Sequence, residues 1–145
     1  MKMTNFTMIS LVNFLNDYTG KRLPQKINYA ISRNMSKLQE EYKFYETSLN
    51  GIMNTYREHF VMNEESGQPE VDNNGLPKVD DSVSEDYYNE ISALLSIEVD
   101  VNLYFVDESV FDYDETKGNY DVIPAKDILA LQSILCEQEK EEKSE

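Results

Sequence analysis

Residues 24–60 read PQKINYAISRNMSKLQEEYKFYETSLNGIMNTYREHF, and no other stretch of the chain carries so strong a structural signal. Ile31, Met35, Leu38, Tyr42, Tyr45, Leu49, Ile52 and Tyr56 recur at alternating steps of four and three. Such steps return to one side of an α-helix and form a heptad seam. Ile27 adds a turn in front, and Pro24 suits a first turn, where no amide proton is needed. The spacing predicts a helix from Pro24 to about Phe60, about 55 Å long at 1.5 Å per residue. Gly51 weakens it locally, by about 1 kcal/mol relative to alanine. The helix is long for a chain of 145 residues. Two uses stand open: a spine for the rest of its own chain, or a coiled-coil seam through which Leu38, Tyr42, Tyr45 and Leu49 bind a second copy or a partner.

Before this helix, Met8, Leu11, Val12 and Leu15 share one face of a shorter one, capped by Asn5 or Thr7 and stopped at Thr19-Gly20. After it, residues 61–81 are rich in acids and turn formers, which fits a flexible loop or a weak hairpin turning at Asn74-Gly75. A third helix, capped by Ser82 or Ser84, runs through Leu95. Ile97, Val99, Val101, Leu103 and Phe105 then alternate with Glu98, Asp100, Asn102 and Tyr104, the period-two pattern of a half-buried strand. A turn at Lys117-Gly118-Asn119 suggests that residues 120–123 return as its hairpin partner. Pro124 opens a last helix carrying Ile128, Leu129, Leu131, Ile134 and Leu135, and a charged, frayed tail is expected over 137–145. The fold class expected is α+β, a long central helix and shorter helices packed on a small antiparallel sheet, in a single domain of residues 1–136.

Charge narrows the partners. The chain carries −15, very unevenly. Residues 1–59 hold eight Lys and Arg against five Asp and Glu, a net of +3, whereas residues 60–145 hold five Lys against twenty-three acids, a net of −18. Such a surface repels phosphates and acidic membranes, since both are bound through cations that displace counterions. Direct nucleic-acid or membrane binding is not expected. A protein with a basic surface, such as a groove built for nucleic acid, is attracted instead. The same charge also serves plain solubility. No secretory signal or long apolar run is present, and Cys136 is the only cysteine, so a cytoplasmic, reducing setting is expected.

Few residues offer chemistry. His59 is the only histidine and falls near the end of the long helix, where a cation is favoured. Cys136 has no identifiable base partner and reads as a packing residue. Glu70, Asp72, Asn74, Gly75 and Asp81 match positions 1, 3, 5, 6 and 12 of a calcium loop. However, Asp81 is too short for the bidentate ligand and Pro77-Lys78 break the pattern, so an acidic turn is the better reading. No metal or other cofactor is expected, and the chain reads as a non-enzyme. Tyrosine is the notable excess, ten in all. Tyrosine combines apolar area with a polar tip and is favoured at binding hot spots. The candidate partner-binding residues are therefore Asp107, Glu108, Asp112, Tyr113, Asp114, Glu115 and Tyr120, where acids and tyrosines interleave.

The layout resembles a small uncharacterised family of proteins from phages and prophages of Gram-positive bacteria. The resemblance rests on residues 21–34, KRLPQKINYAISRN, the long Glu/Lys/Tyr helix, the turn at 72–75, the segment LLSIEVDV at 94–101 and IPAKDILAL at 123–131. It implies a phage origin and supplies no activity; the acid- and tyrosine-rich stretch 104–120 departs from it. The function expected is a phage-encoded protein that binds and blocks a host protein, most simply a nucleic-acid-processing defence enzyme, as anti-CRISPR and anti-restriction proteins do. Its carboxylates would mimic nucleic acid. The rival is an accessory factor for phage particle assembly that oligomerises through the long helix, in the simplest case as a homodimer.

Overall fold

The computed structural model describes residues 1–137; apart from Glu137, the tail expected at 137–145 lies outside the described residues. The architecture is α+β, in the order β1 (Lys2–Thr4), α1 (Asn5–Asn16), α2 (Gln25–Tyr56), α3 (Ser84–Leu95), β2 (Glu98–Asp100) and α4 (Ala125–Leu135). The heptad pattern is realised as α2, 32 residues long and continued by a 3₁₀ turn at Arg57–His59. The described chain divides into two compact units. One holds Met1, Ser10–Gln39 and the chain from Val101 onward; the other holds Lys2–Ile9 and Glu40–Asp100.

In the second unit, β1 and β2 pair antiparallel with Met3 opposite Val99. The strand expected over 97–105 is thus only three residues long, and its partner is the N-terminal strand rather than residues 120–123. A period-two pattern marks an extended segment but cannot say which backbone completes its ladder. Helix α1 is capped one residue earlier than expected, the Thr4 hydroxyl accepting from the Thr7 amide at 3.2 Å. Asn5 is buried and donates its side-chain amide to the Leu94 carbonyl at 2.9 Å.

Of the flexible loop and the weak hairpin expected here, the hairpin is found, as part of a small meander over residues 60–79. Bridges join Phe60 to Val79, Met62 to Pro69 and Val71 to Pro77, and the second turn is made at Asn74-Gly75, with Gly75 at φ +79°. Its apolar side feeds a core of Val79, Tyr87 and Ile91, against which Leu49, Ile52, Tyr56, Phe60, Leu76, Val83 and Leu95 pack. The Tyr87 hydroxyl reaches the Pro77 carbonyl at 2.8 Å, so the ring is buried while its polar tip stays bonded. Neither Ser82 nor Ser84 caps α3; the position before it is Val83, with no side-chain cap.

The first unit is built on the first half of α2, where Ile27, Ala30, Ile31, Asn34, Met35 and Leu38 are buried. Val101 and Leu103 are buried in the segment that follows β2, and Leu131, Leu135 and Cys136 at the end of α4. Residues 120–123 are not a strand. Asp121 instead pairs with the connector before α2, its amide donating to the Arg22 carbonyl at 2.8 Å and its carboxylate accepting from the Arg22 amide at 2.7 Å. The Tyr18 hydroxyl donates to Asp127 of α4. No helix among the described residues is long and apolar enough to cross a membrane.

Candidate functional site

The segment 101–107 lies outside any strand: Val101 pairs with Met1, the Leu103 amide turns back to the Val101 carbonyl at 3.0 Å, and side chains of α2 hold the residues that follow. The buried Asn34 amide bonds both the N–H and the C=O of Tyr104. Lys37 donates to the Asn102 carbonyl. The Tyr104 ring meets Tyr29 edge-on at 5.5 Å, and the Arg33 guanidinium lies 4.9 Å from its centroid, a cation–π contact.

The expected acidic and aromatic residues then follow on one continuous loop. The Asp107 side chain caps a 3₁₀ turn at Glu108–Phe111 by accepting from the Ser109 amide at 2.9 Å. Hydrogen bonds from Ser109, with the Lys26 charge adding, hold the Asp107 carboxyl below its usual range. Asp114 accepts from the Thr116 hydroxyl at 2.7 Å and its amide at 2.9 Å, which lowers its pKa in the same way. Asp107, Glu108, Asp112 and Asp114 are exposed and Glu115 is half-buried. Among the described residues none of the five forms an ion pair. The loop therefore presents five carboxylates, of which Asp107 and Asp114 accept hydrogen bonds that favour the charged form, and among the described residues no salt bridge reaches any of them.

The two tyrosines of the set are half-buried and pack on each other, ring centroids 5.3 Å apart and nearly perpendicular. The Tyr113 hydroxyl is buried and meets no hydrogen-bond partner among the described residues. Gly118 makes room for Tyr120, because a Cβ there would fall 2.3 Å from the ring. Tyr113 and Tyr120 thus shape the loop from inside, and the carboxylates form its outer face.

The seam residues are placed differently. Leu38 is fully buried and Tyr45 buried, while Tyr42 and Leu49 are half-buried. Leu49 joins the core of the second unit, and the Tyr42 and Tyr45 rings lie 5.7 Å apart. The seam is largely covered by its own chain, and the exposed aromatics of α2 are the off-seam residues Tyr29 and Phe44.

A groove of about 540 Å³ borders the acidic loop, lined chiefly by Lys26, Tyr29, Tyr104, Phe105, Asp107 and Val110. The reading of the residues missed it. Its one signal in the sequence is Tyr29, a large aromatic off the buried face of α2. Burial, followed by the charges of Glu108 and Asp107, pushes the Cys136 thiol up and disfavours the thiolate. His59 pairs through Nδ1 with Asp80 at 2.9 Å. The Asp72 carboxylate accepts from the amides of Asn74 and Leu76, which makes it a turn former. Among the described residues no three His, Cys, Asp or Glu side chains gather closely enough to hold a metal ion. Comparisons with protein families, with curated proteins and with solved structures find no match.

Proposed function

We propose that this is a phage-encoded, non-enzymatic protein that binds a host protein with a basic, nucleic-acid-processing groove and blocks it. The supporting observation is the un-neutralised acidic loop. Among the described residues no salt bridge reaches the five carboxylates between Asp107 and Glu115, within a half of the chain that carries −18. Packing alone does not call for such an array, since like charges so close together repel one another. A cationic groove converts that repulsion into attraction, and long-range attraction speeds encounter.

The test begins with affinity capture from bacterial lysate and continues with binding kinetics on the purified partner. Replacing Asp107, Glu108, Asp112, Asp114 and Glu115 with Asn or Gln should slow association, because Asn and Gln keep the oxygen acceptors that hold the turns. Affinity should fall steeply from low to physiological salt, where the Debye length is about 8 Å. The matching neutralisation of Glu40, Glu41 and Glu46 on α2 should matter far less. A partner bound with salt-independent affinity that also tolerates the five-fold neutralisation overturns the proposal.

A further inference from the structure

We infer that the groove beside the acidic loop takes an extended, cationic peptide segment of the partner, which adds as a strand along Phe105. This rests on the acidic loop being a protein-binding face, and it specifies how that face holds what it attracts.

Two independent observations carry it. The first is an open backbone edge. Asn34 bonds both the N–H and the C=O of Tyr104, so both groups of Tyr104 point to one side, as in a strand. The Val106 amide is likewise bonded, to the Leu135 carbonyl at 2.8 Å. In an extended chain the intervening residue turns its N–H and C=O the other way. Among the described residues no hydrogen bond reaches either group of Phe105. Phe105 is 39% exposed and lines both the groove and a second opening shared with Val106, Glu108 and Cys136. The open pair is confined to Phe105, since the Leu103 amide bonds the Val101 carbonyl and the Asp107 carbonyl accepts from the Val110 amide; a free pair of this kind can receive an added strand.

The second is charge. Residues 104–115 hold five carboxylates and no Lys or Arg. Lys26 and Asp107 both line the groove and Lys26 acts on the Asp107 carboxylate, Arg33 lies over the rings of Tyr104 and Tyr29, and the remaining four carboxylates stand on the loop beside the groove. Within the groove Tyr29, Phe105 and Val110 provide apolar surface. The complementary ligand is therefore a strand that alternates an apolar residue with Lys or Arg.

The probe is the heptapeptide of alternating lysine and leucine, lysine first, titrated into the isotopically labelled full chain. Saturable binding should shift the Phe105 amide and slow its hydrogen exchange. Val110→Arg and, separately, Tyr29→Ala should weaken binding by about tenfold. Tyr29 is 53% exposed, so its loss leaves the core intact. Methylating alternate peptide nitrogens should abolish protection at Phe105. Three results overturn the inference: no binding at millimolar peptide; equal binding of the glutamate–leucine counterpart; or binding that perturbs only the amides of residues 107–115 and ignores both variants and the methylation. The captured partner separates this inference from the broader one. Dependence on the five carboxylates but not on Tyr29 or Val110 sinks the groove and leaves the acidic face standing. Groove binding of the peptide with no carboxylate-dependent partner does the reverse.

Discussion

Asn34 and Tyr104, seventy residues apart in the chain, are joined by two hydrogen bonds: Asn34 Nδ2 donates to the Tyr104 carbonyl at 2.9 Å, and the Tyr104 amide donates to Asn34 Oδ1 at 2.6 Å. A side-chain amide on a helix thus does for one residue what a neighbouring strand would do. Asn34 is fully buried, and removing it leaves two backbone groups without partners in a poorly hydrated place. Asn34→Ala should cost about 3 kcal/mol by urea unfolding. Tyr104→Phe, which keeps the ring and the backbone bonds, should fall within about 0.5 kcal/mol of wild type.

Leu38 has no exposed surface and sits mid-way along α2. Leu38→Ala should destabilise by about 2–5 kcal/mol through the cavity it leaves. Leu38→Pro should remove a large share of the helical circular-dichroism signal, since proline costs about 3 kcal/mol in a helix interior. A proline variant with a near-native spectrum would contradict a continuous α2.

Gly118 and Tyr120 are coupled by space. A Cβ at Gly118 would lie 2.3 Å from the Tyr120 ring, so Gly118→Ala must displace that ring from Tyr113. The expected cost is about 1–3 kcal/mol. In the Tyr120→Ala background the same change should be nearly neutral, and a double-mutant cycle measures the difference. Additive effects would mean that the crowding is relieved elsewhere.

Alkaline pH should reveal the Tyr18–Asp127 bond. Burial first, then the hydrogen bond to Asp127, push the Tyr18 phenol up to about 12. The folded chain keeps this proton at a pH where the unfolded chain has lost it. Its contribution is therefore complete below about pH 10 and declines as pH rises through 12. Tyr18→Phe should flatten the fall in melting temperature over that window without abolishing it. Tyr56, hydrogen-bonded to Glu90, is raised to about 12 as well.

Calcium should leave the protein unchanged. Asp72 uses its carboxylate on the amides of Asn74 and Leu76. Millimolar calcium is expected to shift the melting temperature by nothing beyond error. A saturable rise that vanishes in Asp72→Ala would revive the calcium-loop reading.

Much of the helical content was legible from residue spacing. The seam from Ile31 to Tyr56 marks α2, and Pro24, Gly20 and Pro124 mark ends that lie close to those observed. The turn at Asn74-Gly75 was legible too, since a positive φ at position 75 calls for glycine. Of the candidate site, the run of carboxylates from Asp107 to Glu115 could be read directly. The inward role of Tyr113 and Tyr120 could not, because a tyrosine reads alike as anchor or as filler until its neighbours are known.

Periodicity and turn chemistry act between residues a few positions apart, so a single chain discloses them: the length of α2, the extended run after α3, and the concentration of negative charge after residue 60. Pairing joins residues whose separation in sequence says nothing of their distance in space. Folding alone gave β2 the N-terminal residues 2–4 as its partner, where the sequence had suggested residues 120–123. The same holds for Asn34, an ordinary polar residue on a helix until the Tyr104 backbone arrives beside it. A buried amide needs a partner, and only the closed fold specifies which one it finds.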